Sequence, residues 1–219
     1  MKVVIGDIHG CFYELLDLWS KIGINNDDEI ISIGDMVDRG PASDKVVGIF
    51  RTIGKAILGN HERKHVRHFS GLMADRNFGR AQRLSVEQFK KANMDYEEVI
   101  GYFAGLPNYL DLSEAILVHA GLIYGVPLDF QNEKILTGAG FQKENEIGDL
   151  GVPHWCESYP KDAKPVIFGH LSLGGVPRPY NGNLWHLDTG CVRGGFLTAI
   201  TLPDWKIYQV KARKDYYKK

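Results

Sequence analysis

The chain has 219 residues, 44% of them apolar and 24% charged, with 26 Lys plus Arg against 27 Asp plus Glu. This balance excludes a disordered chain, a fibrous repeat and a global basic field for nucleic acid. The length suits a large core and predicts one domain spanning residues 1–219.

The three cysteines, Cys11, Cys156 and Cys191, are too scattered for a disulfide framework and form no Cys-x-x-Cys pair. They point to a reducing, cytoplasmic setting. The opening Met1-Lys2-Val3-Val4-Ile5-Gly6-Asp7 is too short for a signal peptide. No apolar run approaches the roughly 18–20 residues of a membrane span, so no membrane partner is expected.

The first sixty residues repeat one pattern. Short β-branched runs at Lys2–Ile5, Glu29–Ile33 and Lys55–Leu58 each end in Gly plus a polar residue and read as buried strands. Between them, Phe12, Leu15, Leu16, Leu18, Trp19 and Ile22 form one apolar helical face, stopped by Gly23. Val46, Val47, Ile49, Phe50 and Ile53 form another, with Pro41 near its start. Strand–helix–strand–helix–strand at this spacing predicts a parallel βαβαβ unit.

Residues 61–105 read as polar helix, and Arg76, Arg80, Arg83, Lys90 and Lys91 as its solvated face. His65 and His68, at helical spacing after His61, are expected at the surface. From Tyr109 onward the pattern becomes strands: 109–112, 115–118, 166–168, 184–187, 196–202 and 207–210, with Leu202-Pro203-Asp204-Trp205 as a hairpin turn. Residues 120–165 are irregular. The basic tail after Lys211 is expected to be frayed and solvated.

The strand ends carry the chemistry. Asp7 and His9 follow the first strand, Asp35, Asp38 and Arg39 the second, and Asn60 and His61 the third. The carboxyl ends of parallel strands share one edge, so these residues should converge there. The Gly before each cluster is expected to let the backbone turn tightly out of the sheet.

Carboxylates, imidazoles and an amide oxygen without thiolates suit Mn²⁺, Fe, Zn²⁺, Co²⁺ or Ni²⁺. Two metals about 4 Å apart need a bridging carboxylate, and Asp35 is placed for it. Such a pair clamps a phosphate and lowers the pKa of a shared water. His119 and His170 each follow an apolar run and are the further imidazole candidates. Cys11, directly after the first cluster, reads as a small buried residue at a helix start.

Gly6-Asp7-Ile8-His9-Gly10, Gly34-Asp35-Met36-Val37-Asp38-Arg39-Gly40 and Gly59-Asn60-His61-Glu62 resemble the signatures of the phosphoprotein phosphatases, within the calcineurin-like metallophosphoesterases. His119-Ala120-Gly121, Phe168-Gly169-His170 and the segment from Leu187 to Ala199 resemble the later motifs of the small bacterial and phage branch. The resemblance is weakest across 63–108 and 122–165.

It implies a four-layer αββα sandwich of two mixed sheets. It also implies two divalent cations, Mn²⁺ foremost. Asp7 and His9 would hold one ion, Asn60, His119 and His170 the other, and Asp35 would bridge. His61 would be the general acid, Asp38 its orienting carboxylate and Arg39 a phosphate ligand.

One departure stands out. The branch carries a second phosphate-binding arginine in a Trp-x-Arg stretch, whereas here the stretch reads His154-Trp155-Cys156-Glu157-Ser158. Arg193 is either its stand-in or a surface arginine on a turn.

The leading expectation is a phosphomonoesterase of the Ser/Thr/Tyr protein phosphatase type, favoured by Asp38 and Glu62. The alternative is a dinucleoside polyphosphate (diadenosine tetraphosphate) hydrolase or a related nucleotide or RNA-end phosphatase, favoured by the stretch after Gly169 and by Asp188-Thr189-Gly190-Cys191. The substrate is thus a phosphoprotein or a nucleotide, with nucleic acid only as substrate. Specificity should lie in the loops at 66–100 and 122–165. A non-catalytic metal-binding scaffold would have no need to retain the complete donor set together with His61 and Asp38.

Overall fold

The computed structural model describes residues 1–139, 153–172 and 179–218. Parts of the irregular 120–165 stretch, of the segment after His170 and the last residue of the tail lie outside the described residues.

The predicted N-terminal unit is present: β1 (Lys2–Ile5), α1 (Phe12–Ile22), β2 (Glu29–Ser32), α2 (Ser43–Thr52) and β3 (Lys55–Ala56). β1 pairs parallel with β2, and β2 with β3. β3 is shorter than expected because Leu58 donates its N–H to Pro107 O and leaves the ladder. β8 (Phe196–Leu202) adds antiparallel to β1, and β9 (Lys206–Lys211) antiparallel to β8, giving the order β3-β2-β1-β8-β9. A second sheet has the order β4-β5-β6-β7, from β4 (Tyr109–Asp111), β5 (Ile116–Val118), β6 (Val166–Phe168) and β7 (Leu184–His186). β4 is antiparallel to β5 and the rest run parallel, so both sheets are mixed.

The period-2 geometry of a strand explains why apolar residues fill every position. In β1, Val3 and Ile5 face one apolar cluster while Val4 faces another. The Val4 cluster includes Ile31, Ile200, Leu202, Leu117 and Ile167 and forms the seam between the sheets. The outer cluster of the first sheet packs with α1, α2, α4 (Arg80–Lys91) and α5 (Tyr96–Ala104). Val118, Val166 and Phe168 face outward from the second sheet, against Leu136 of α6 (Glu133–Leu136) and Cys156 of α7 (His154–Glu157). The layering is therefore helices, sheet, sheet, helices, as the resemblance implied.

α3 (Asn60–Phe69) runs directly out of the third strand-end cluster. The cations at 76, 80, 83, 90 and 91 are exposed, as expected. The tail corrects the sequence reading. Ala212 is buried, Arg213 N–H donates to Glu14 Oε1 at 3.0 Å and the Tyr216 hydroxyl to the same oxygen at 2.7 Å. A carboxylate buried on α1 thus fixes the chain end.

Candidate active site

Five residues of the strand-end loops have left-handed backbone: His9 (φ 48°), Asp35 (52°), Asp38 (72°), Arg39 (68°) and His170 (73°). Non-glycine residues rarely adopt this region, and such strain collects where side chains must be aimed at a site. Of the three expected turn glycines only Gly34 needs the freedom, at φ 95°. At Gly59 the constraint is contact, since a Cβ would lie 2.4 Å from Asp35 N.

The predicted donors converge from both sheets. Asp35 presents Oδ2 to His9 Nε2 at 3.5 Å and Oδ1 to His119 Nε2 at 3.4 Å. Asn60 Oδ1 lies 3.2 Å from His119 Nε2 and 3.1 Å from His170 Nδ1. Asp7 accepts the His170 N–H at 3.2 Å. His9 Nδ1 and His119 Nδ1 each lie 2.9 Å from a carbonyl, of Val37 and Ile33 respectively. That partner assigns the proton to Nδ1 and leaves the Nε2 lone pair facing Asp35.

Two sets, His9–Asp35–His61 and Asp7–Asp35–His119, each bring their donor atoms within 4.8 Å of one another, with Asp35 common to both. Burial holds His9 well below the ordinary imidazole range and takes His170 down to about 3. These rings are neutral donors. Asp7 is pushed well up by burial and by the charges of Asp188 and Asp35. Three carboxylates buried together are costly unless cations join them. Arg39 already places a guanidinium nitrogen 2.7 Å from His9 Nε2. The donor set fits divalent cations.

Beside these donors stands a second network. His61 Nδ1 lies 2.6 Å from Asp38 Oδ2, while His61 Nε2 is buried and has no hydrogen-bond partner among the described residues. Asp38 is fully buried and also meets His65 Nε2 at 2.9 Å, Ser85 Oγ at 2.8 Å and Gln82 Nε2 at 2.6 Å. Burial would raise Asp38, but the bonds to His61 and His65 outweigh it and hold the carboxyl well below its usual range.

The expectation that His65 lies at the surface is therefore wrong. It is fully buried, with Nδ1 2.9 Å from the Tyr96 hydroxyl. The signal was its i,i+4 spacing from His61, which stacks both rings on one helix face. Gln82 and Ser85 lie on α4, where the sequence offered only a polar helix. His68 is half-exposed, stacked on Phe78 at 3.8 Å.

Glu62 shapes the second loop from below. Its carboxylate accepts the N–H groups of Asp35 (2.9 Å), Met36 (2.8 Å), Val37 (3.2 Å) and Gly59 (3.2 Å). Asp38 and Glu62 thus serve the geometry of the loop and the imidazole.

Trp155 also has a local task, donating Nε1–H to Ala120 O at 3.1 Å beneath the His119 loop. Arg193 is exposed on the β7–β8 connection, its guanidinium 4.5 Å from the Tyr217 ring. Asp188, which entered the sequence analysis only as part of the segment favouring the nucleotide alternative, is buried; burial, together with the Asp35 charge, pushes it up to about 6 against the Gly190 amide.

Strand-end carboxylates and imidazoles bracketing a buried dyad on a two-sheet sandwich are the mark of the metallophosphoesterases. The profile of the calcineurin-like phosphoesterases matches residues 3–209, and the chain belongs to that family, whose members are phosphoric-ester hydrolases working with divalent metal ions.

Within it, the chain is 30% identical over 243 residues to bis(5'-nucleosyl)-tetraphosphatase PrpE (asymmetrical) of Oceanobacillus iheyensis, covering 99% of this chain and 94% of that protein. It is 32% identical to the protein of the same name from Bacillus cereus, covering 94% and 92%. A crystal structure described provisionally as a diadenosine tetraphosphatase superposes with a TM-score of 0.76 at 26% identity, covering 96% of this chain and 93% of the other. The cold-active protein-tyrosine phosphatase of a Shewanella species shares the fold, with a TM-score of 0.59 at 15% identity. No helix among the described residues is long and apolar enough to cross a membrane.

Proposed function

We propose that the protein, acting as one unit over its whole length, hydrolyses a dinucleoside tetraphosphate and divides it unequally. Four phosphates between two nucleosides give either two diphosphates or a triphosphate and a monophosphate, and only the second division is asymmetric. The observation that carries this reading is the near-full-length match to proteins of that name. It favours the nucleotide alternative over the protein-phosphatase expectation.

Asp7 and His9 would hold one cation and Asn60, His119 and His170 the other, with Asp35 between them. Mn²⁺ is the expected ion, and Fe, Zn²⁺, Co²⁺ and Ni²⁺ suit the same donors. Bound there, the cations supply Lewis-acid activation of phosphate and water.

The chain's own residues do the rest. His61 protonates the departing phosphate oxygen from Nε2, the nitrogen that makes no hydrogen bond among the described residues and lies 3.9 Å from Asp35 Oδ2. Asp38 fixes the opposite ring nitrogen and so aims Nε2, as a carboxylate does in other His-dependent sites. His65, Ser85 and Gln82 hold Asp38 still. Arg39 and Arg193 bind phosphate oxygens, with the planar fork suited to that task.

The test is hydrolysis of diadenosine tetraphosphate, a phosphopeptide and p-nitrophenyl phosphate by metal-stripped protein. Mn²⁺, Ni²⁺, Co²⁺, Zn²⁺ and Mg²⁺ are restored separately and the nucleotide products resolved. The expected result is ATP plus AMP, fastest with Mn²⁺ and abolished by Asp35→Asn. Two ADP, or a phosphopeptide preferred in kcat/KM, would overturn the assignment.

A further inference from the structure

The chain end reaches the edge of the site. Tyr217 lies with its ring centroid 4.5 Å from the guanidinium carbon of Arg193 and 5.8 Å from that of Arg39. One ring therefore touches both arginines assigned to phosphate, and Arg39 itself contacts His9.

The tail carrying the ring is firmly seated. Glu14 anchors Arg213 and Tyr216. Tyr216 N–H donates to Val192 O at 3.0 Å, and Arg193 pairs with Asp215 in an antiparallel bridge. Asp215 Oδ1 then accepts the N–H groups of Tyr217 (2.9 Å) and Lys218 (3.0 Å), turning the chain so that the ring meets the arginines. The ring is 52% exposed, so core packing does not account for its placement.

We propose that Tyr217 is a positioning residue for the substrate phosphates. Its π face holds the guanidinium groups of Arg39 and Arg193 in the orientation that receives phosphate. A guanidinium over an aromatic ring is attracted by the ring quadrupole and loses rotamer freedom before the substrate arrives. The entropy of ordering two long side chains is then not charged to binding. The C-terminal tail is on this view a working part of the site. The proposal rests on the reading that Arg39 and Arg193 bind phosphate.

The test compares Tyr217→Ala, Tyr217→Leu and Tyr217→Phe with Arg39→Ala and Arg193→Ala in the full chain loaded with Mn²⁺. It measures kcat and KM on diadenosine tetraphosphate and p-nitrophenyl phosphate, and the inhibition constant of inorganic phosphate. Ala and Leu at 217 should raise KM and the phosphate inhibition constant roughly 3- to 30-fold, the range of a cation–π contact, with kcat nearly unchanged. Phe should restore both.

Leu rescuing as well as Phe would mean that the ring is mere packing, and would overturn the proposal. Unchanged KM and phosphate inhibition in Tyr217→Ala, when the two arginine variants lose phosphate affinity, would overturn the role of the tail alone. Unchanged values in both arginine variants would overturn the phosphate-binding reading itself.

Discussion

Replacing Glu62 by alanine removes the acceptor of four buried amides: Asp35, Met36 and Val37 in the loop after β2, and Gly59 at the end of the third strand. Each buried N–H left without a partner costs about 1–3 kcal/mol. The simple sum is an upper bound, because water can enter the space and the cost of burying a carboxylate is relieved. Loss of one buried charged partner typically leaves about 3–5 kcal/mol.

For a chain of this size that predicts a fall in Tm of roughly 6–20 °C. Glu62→Gln tests the reasoning at finer grain. One oxygen remains for two of the amides, while the new NH₂ group faces donors where an acceptor stood, so much of the loss should persist. Thermal and urea unfolding of the metal-free protein reads both variants. Glu62→Ala within about 1 kcal/mol of wild type would refute the view that this carboxylate holds the loop.

Four other outcomes are expected. Arg193→Ala should lower kcat/KM by a factor equivalent to about 2–4 kcal/mol, as for loss of one transition-state donor, and unchanged kinetics would return Arg193 to the surface. Asp38→Asn should reduce kcat on the order of 10²–10⁴-fold with KM little altered, measured under saturating Mn²⁺; a loss confined to KM would contradict the orienting role. Chelation should abolish turnover and lower Tm, since the bound ions favour the folded state, and a Tm indifferent to added metal would argue against the donor set. Asp38 has a depressed folded-state pKa, so its stabilisation is present above its unfolded value of about 3.9 and lost as pH falls through the folded one. Urea midpoints of the metal-free protein should drop below about pH 4, and Asp38→Asn should flatten that slope.

What the sequence could disclose depended on how local the determinant was. β1, β2 and α1 were readable because each is one run of periodic residues, and β1 buries both faces through Val3, Val4 and Ile5. The convergence of Asp7, His9, Asp35 and Asn60 was readable because parallel strands force their ends to one edge. His65 was not, because its burial depends on Phe78, Phe89, Tyr96 and Phe103, which α4, α5 and the loop before them bring from 13 or more residues away. Gln82 and Ser85 face Asp38 across 44 and 47 residues, and nothing in their own helix announces it. The tail misled for a like reason: five basic residues mask a docking set by partners far back in the chain, Glu14 and Asp17 on α1 among them.

The donors also divide between the layers of the sandwich. Asp7, His9, Asp35 and Asn60 follow strands of the first sheet, and His119 and His170 follow strands of the second. Any ion they share is a rivet through the seam. Its affinity then becomes a gauge of how well Val4, Ile31, Leu117 and Ile167 mesh beneath it. Leu117→Ala, which removes no donor, should loosen that rivet, and added metal should in turn close the seam against such a cavity. On the proposed assignment, core and metal site are one cooperative unit, with the hydrophobic interface setting the reach of the donors.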